Sequence, residues 1–317
     1  MDGIMSFNAF VQAMTANGMN LNALRTNGTL RKDEWKVLDT AVIDVTRSRL
    51  RAVADLQGAG LTRNLGGLGV MVDEWETSGD MNGAEVDMAG DTAGQEDTQT
   101  FSLHGVPIPI IHKDFRLNIR RLLAARRNGT PLDTMQAEIA ARKVSETAEG
   151  ILFSGSAVKV DGYQIYGYTN HPNRNTGSLT AAWTDATNRE ILADVLDMIY
   201  SAEQAGYYGP FVLYVPGAYW AELRAEYSSN KTGTWLERIR AIDNIQDVRV
   251  ADTLSGDNVV MVQLTRDVVD LSVAQDVSTV EWDSRGGMVM HFKVMTAMAP
   301  RVKADDKGNS GVVHYSV

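Results

Sequence analysis

The chain has no cysteine among its 317 residues. That absence excludes disulfide staples, thiolate nucleophiles, Cys-ligated zinc and iron–sulfur clusters, and it fits a reducing compartment. The length is enough for one large domain or two ordinary ones, with a core that needs no covalent support. No apolar run approaches the ~20 residues of a membrane-spanning helix, and the N-terminus lacks a basic stretch followed by an apolar one. A soluble protein made in the cytoplasm, with no membrane partner, is expected. Positive charge is also short: 30 Lys and Arg face 40 Asp and Glu, for a net charge of −10. Sequence-independent wrapping of nucleic acid depends on neutralising phosphates with Lys and Arg, so the balance argues against it, though not against enclosing DNA at a distance.

The shortage of basic residues is local. Between residues 64 and 112 there is no Lys or Arg, while Asp73, Glu74, Glu76, Asp80, Glu85, Asp87, Asp91, Glu96 and Asp97 are acidic. The next stretch reverses sign: Lys113, Arg116, Arg120, Arg121, Arg126 and Arg127 are opposed only by Asp114. A monomer could fold the two together, but an extended acidic arm can equally reach the basic segment of a neighbouring copy and steer its docking. The pattern reads as self-assembly.

Hydrophobic spacing supplies the elements. Residues 1–28 are poor in charge, with Phe7, Phe10, Val11 and Met14 at roughly helical spacing, and suggest an amphipathic element on an arm. Trp35, Leu38, Val42, Val45, Leu50 and Val53 make one apolar stripe and predict a helix over 31–56. After a glycine-rich break, β-compatible runs at 70–75 and 98–111 flank a polar tip, which predicts a protruding hairpin stable only when laid on something else. Thr130 as cap, Pro131 at the first position and Asp133 three residues on predict a helix to Phe153. Thr187 and Glu190 form a second capping box, opening a helix closed by Gly206. Strands at 211–215, 248–251, 259–264 and 268–273 then mix with helices at 218–227 and 235–242 in a compact α+β unit. Further strands are expected at 279–282 and 288–302, with an edge strand at 312–317.

Catalytic patterns do not emerge. The histidines His104, His112, His171, His291 and His314 are widely separated, and none stands in a helical ligand pair. The segment GGLG at 66–69 has neither a preceding strand nor a following helix, so it does not qualify as a phosphate loop. Asp305 and Asp306 read as turn charge. The carboxylate pairs Glu34/Asp39 and Glu146/Glu149 read as solvated helix faces. No catalytic residue, cofactor site or metal site is assigned.

Several stretches resemble one family in the right order. LRKDEWKVLDTAVIDVTRSRL is similar to the helix that opens an encapsulin, and IPIIHKDFRLNIRRL to the junction where an extended loop returns to the body. VSETAEGILFSGS resembles the end of a spine helix, and GPFVLYVPGAYWAEL the strand and helix of an axial domain. IQDVRVADTLSGDNVVMVQLTRDVVDLSVAQDVSTVEW and MVMHFKVMTAMAPRV resemble the closing strands. Over residues 30–302 the chain thus resembles the HK97-type major capsid proteins of tailed phages, and within them the encapsulin-like branch.

The resemblance implies an α+β, HK97-like capsid fold divided as follows: N-terminal arm and helix (1–65), E-loop (66–112), P domain with its long spine helix (113–186), A domain (187–284), and returning P-domain strands with the C-terminal tail (285–317). It implies function through interfaces. Copies would form pentamers and hexamers of an icosahedral shell, each E-loop lying across an adjacent subunit. The expected interface residues are Asp73, Glu74, Glu76, Asp80, Glu85, Asp87, Lys113, Arg116, Arg120, Arg121, Arg126 and Arg127. The extension before Leu30 resembles the arm of viral subunits and favours a phage major capsid protein, not an enzyme. It would be assembled in the host cytoplasm, reside in the virion around double-stranded DNA held without sequence specificity, and work with a portal and a separate scaffolding or decoration protein. The alternative is an encapsulin-type bacterial nanocompartment shell that stores an enzyme cargo. Some phage shells weld an E-loop Lys to an Asn of another subunit; with no Lys here, a shell without covalent links is expected.

Overall fold

The structure, a computed structural model, describes residues 30–79, 83, 88, 98–99, 101–128, 134–228, 231–254, 256–285 and 287–317. The expected arm, the hairpin-tip residues Asp80, Glu85 and Asp87, and the Thr130, Pro131 and Asp133 cap lie outside them.

The first helical stripe folds as two helices, α1 (Lys32–Arg49) and α2 (Arg51–Gly58), broken at Leu50, whose ψ is 74°. A tertiary contact accounts for the break. The carboxylate of Glu149 accepts hydrogen bonds from the backbone N–H groups of Ala52 (2.7 Å) and Val53 (3.4 Å), satisfying first-turn donors that a helix N-terminus leaves open. After β1 (Thr62–Asn64) come the hairpin strands β2 (Val72–Ser78) and β3 (Phe101–Pro107), then β4 (Ile110–Asn118) and α3 (Ile119–Asn128). The run expected as one strand over 98–111 is therefore divided between the hairpin and the body.

The helix α4 (Met135–Ser154) is 20 residues long, about 30 Å at ~1.5 Å per residue. Ala137, Ala140, Ala141 and Ala148 lie on its buried side, and such small side chains let neighbouring elements approach closely. It stops at Gly155, where φ is +67° and a Cβ would stand 2.5 Å from the Ile165 carbonyl oxygen, a position only glycine fills.

The hairpin of β5 (Ser156–Val160) and β6 (Tyr163–Ile165) and the strand β7 (Asn175–Ser178) follow. The Thr187 box opens α5 (Asn188–Gln204), the Thr187 N–H donating to Glu190 at 2.6 Å. Next come β8 (Phe211–Val215), α6 (Gly217–Leu223), the pair β9 (Glu226–Ser228) and β10 (Lys231–Thr234), and α7 (Trp235–Arg240). The expected helix over 218–227 thus ends early, with Tyr227 in a strand. The chain closes with β11 (Ile245–Val250), β12 (Asn258–Gln263), β13 (Val269–Ser284), β14 (Val289–Val302) and β15 (Val312–Ser316).

Two sheets organise these elements. The first has the order β1-β13-β14-β4 and the second β11-β8-β12-β15-β7. In the first, β13 is a single strand of 16 residues where two were expected. Its pairing with β14 shifts register around Gln275, so bulges interrupt the alternation that would mark it as continuous. One core joins α1, α2 and α4 to this sheet and to one face of the second sheet, through Val212, Tyr214, Val260 and Val262. A second core lies between α5 and the opposite face, through Phe211, Leu213 and Val215. Successive β8 residues therefore serve different cores, which is why all five are buried. The C-terminal strand is a correction: β15 sits between β12 and β7, inside the second sheet rather than at its edge. The edge on that side is β7.

Candidate assembly interface

The hairpin β2–β3 is its own two-stranded sheet, packed on the body at its root. There Val106 and Ile108 join Ile165, Ala274, Ala297 and Ala299 in a small core that Trp75 packs against. Gly105 lies under the Tyr163 ring, where a Cβ would come within 2.7 Å. Asp73 does not point to solvent. It is 4% exposed, accepts a hydrogen bond from the Ser272 hydroxyl at 2.6 Å, and pairs with Arg301 at 3.2 Å and Arg63 at 3.4 Å. Arg301 also holds Asp270 and lies 5.2 Å from the Trp75 ring centre, while Lys303 reaches Asp270 at 2.8 Å. Burial alone would raise the Asp270 carboxyl, but hydrogen bonds from Arg301 and Lys303 outweigh it and hold the group below its ordinary value.

Beyond the root, the hairpin exposes Glu74 and Glu76. Register pairs Glu76 with Leu103 and Ser78 with Phe101, so acidic and apolar side chains share one face. Phe101 is 64% exposed and Leu103 55%. Composition alone missed these two, because isolated apolar residues in a strand read as core.

The basic segment is placed by β4, paired antiparallel to β14, and by α3. Lys113, Arg116, Arg120, Arg121 and Arg127 are exposed. Arg126 turns inward instead: its guanidinium donates to both Glu34 oxygens on α1, at 2.8 and 2.6 Å, and holds that carboxyl below its ordinary value. Of the twelve expected interface residues, Asp73 and Arg126 are thus committed to partners within the chain, seven are exposed, and Asp80, Glu85 and Asp87 lie outside the described residues.

Glu149 is not on a solvated face beside Glu146: it is 3% exposed, and burial pushes its carboxyl up to about 7 against the hydrogen bonds from α2. Nearby, Asp55 accepts from the Tyr214 hydroxyl at 2.9 Å and pairs with Arg249 at 2.8 Å. His314 accepts at Nδ1 from Arg174 at 3.2 Å, and its Nε2 lies 2.8 Å from the Asn258 side-chain oxygen. Burial and then Arg174 lower its pKa to about 4; burial likewise lowers His171 to about 4. A cavity of roughly 250 Å³ between the hairpin root and β6 is lined by Trp75, His104, Tyr163, Tyr166 and His171 among others. Among the described residues, no three His, Asp or Glu side chains are grouped to hold a metal.

The family model described as a family of unknown function, DUF6260, matches residues 22–315. The Type 1 encapsulin shell protein EncA of Myxococcus xanthus is 28% identical over 283 residues, covering 87% of this chain and 91% of that protein. Among solved structures, the virus-like particle from Pyrococcus furiosus superposes with a TM-score of 0.62 at 20% identity, over 88% of this chain and 98% of its own. The capsid of Myoviridae phage XM1 gives 0.64 at 13% identity, over 82% and 90%. These superpositions establish an α+β, HK97-type fold, and the similarity is to structural shell proteins rather than enzymes.

Proposed function

We propose that this chain, which belongs to DUF6260, is the subunit of a self-assembling shell of the encapsulin type, a closed protein compartment that stores an enzyme cargo. The observation that carries the reading is the similarity to the Myxococcus xanthus shell protein, which runs nearly end to end through both chains. The anchored hairpin and exposed basic shoulder support it, since they give each copy a projecting ligand and a receptor of opposite sign. An assembled compartment in the cytoplasm is the corresponding location. A cargo peptide would lie beside α1, where Val37, together with Met135 and Ile139 of α4, exposes apolar side chains.

This departs from the reading that the N-terminal extension favours. The phage capsid remains the second reading, supported by that extension and by the fold shared with the XM1 capsid; DNA, a portal and scaffolding or decoration proteins would be partners only under it. Electron microscopy of the protein expressed alone, with mass spectrometry of what co-purifies from its native cell, tests the two. Small closed shells with one recurrent enzyme support the compartment. Large angular shells with hexamers and packaged DNA support the phage, and a monodisperse monomer at high concentration would end both.

A further inference from the structure

α1 and α4 begin at the same end of the molecule. Arg126 of α3 pairs with Glu34 in the first turn of α1, and α3 ends at Asn128, seven positions before α4 starts at Met135. At the other end, Glu149 of α4 meets Ala52 just beyond α1. The two helices therefore run in the same direction, packed side by side. Their first turns carry apolar side chains in the open: Val37 is 47% exposed, Met135 64% and Ile139 44%. A single exposed apolar residue needs no explanation, but three at one end of a helix pair form a patch.

The same end is where residues 1–29 join the body, since Leu30 is buried and leads into α1. Their sequence suits the patch. Phe7, Phe10, Val11 and Met14 stand at i, i+3, i+4 and i+7, the spacing with which an amphipathic helix enters an apolar groove. No Asp, Glu, Lys or Arg occurs between residues 3 and 24, so docking there strands no charge. Reach is sufficient as well. Sixteen residues lead from Met14 to Leu30, up to about 53 Å of extended chain at ~3.3 Å each, whereas Val37 lies about 10 Å along α1 from Leu30. Asn27 and Gly28, just before α1, favour a reversal of the chain, which directs the segment back over the helix.

We propose that residues 7–14 occupy the apolar patch of their own chain, with Phe10 and Met14 seated against Val37 and Ile139, as a built-in occupant that any outside peptide must displace. The proposal rests on the shell reading, under which a cargo peptide would use this patch, and adds what controls access to it. Tethering makes the contact intramolecular, at an effective concentration on the order of millimolar. A modest contact then holds the segment in place, and only a peptide that outcompetes it takes the site.

Ile139→Cys sets one thiol at the patch of a chain that has no other. A fluorescent maleimide should label it about tenfold or more slowly than in the same variant carrying Phe7→Ser and Phe10→Ser; equal rates overturn the contact. A second measurement needs no cysteine. A labelled synthetic peptide of residues 1–20 should bind the Phe7→Ser/Phe10→Ser protein at least about tenfold more tightly than wild type, and binding to neither protein, or to both alike, counts against the proposal. Phe10→Cys/Ile139→Cys treated with a short bis-maleimide should join tryptic residues 1–25 to 128–142 in a band that runs as monomer. The same pair found only in a dimer band assigns the segment to a second copy and overturns the proposal. None of these readouts needs a closed shell, so a chain that forms no shells by electron microscopy speaks against the shell reading while labelling still judges the contact.

Discussion

Asp73, at the root of the β2–β3 hairpin, lies 3.2 Å from the guanidinium of Arg301 on β14. The same guanidinium holds Asp270 on the neighbouring strand β13, so one cation ties the hairpin to two strands of the main sheet. All three side chains are nearly inaccessible, and a buried ion network is costly to break from one side because the remaining charges keep their desolvation penalty.

Replacing Arg301 by Ala should therefore lower stability by about 3–5 kcal/mol. Arg301→Lys should recover only part of that loss, since one ammonium cannot reproduce a planar fork between two carboxylates. Urea unfolding of the three proteins checks both expectations, and a wild-type midpoint in the Ala variant would contradict the role given to this residue.

Glu149 predicts a pH dependence of definite sign. Its folded pKa of about 7 lies above the ordinary value of 4.5, so the folded state binds the proton more tightly. The stability this contributes is full below pH 4.5 and is lost as pH rises through 7. Glu149→Gln keeps an acceptor for the Ala52 N–H and cannot ionise. Between pH 5 and 8 it should lose less stability than wild type, by on the order of 2–3 kcal/mol. Parallel slopes for the two proteins in unfolding titrations would refute this.

His314 acts in the opposite direction. Its folded pKa of about 4 lies below the ordinary 6.5, so its contribution is present above pH 6.5 and lost as pH falls through 4. His171 adds a loss of the same sign in the same window. The His314→Gln variant should unfold less readily than wild type as pH is taken from 7 to 4, with a difference of roughly 2 kcal/mol in the pH-dependent part. Thermal melts across that range measure it.

Arg120 and Arg121 are exposed, so reversing both to Glu should change folding stability by no more than about 0.5 kcal/mol while sharply reducing shell yield. Light scattering read beside an unfolding curve separates the two effects. Normal shells from this double variant would dispose of electrostatic steering by α3.

Where the signal was local, it was legible in the sequence. The Thr187 and Glu190 box and the β8 strand can both be read from neighbouring residues, and each lies where the pattern places it. What was illegible depended on distant partners. Nothing near Leu50 announces a break, because the carboxylate that accepts from α2 comes from residue 149. The inward turn of Asp73 and Arg126 depends likewise on Arg301 and Glu34. The place of β15 between β12 and β7 is a matter of topology, on which residues 312–316 are silent.

That place bears on how a cell makes this protein. β12 and β7 are joined through β15, which follows both in chain order, so the five-stranded layer cannot be completed until residues 312–316 have been made and released. Half-made molecules lacking those residues, emerging side by side on one message, would still have that layer unfinished, and so would be poor building blocks.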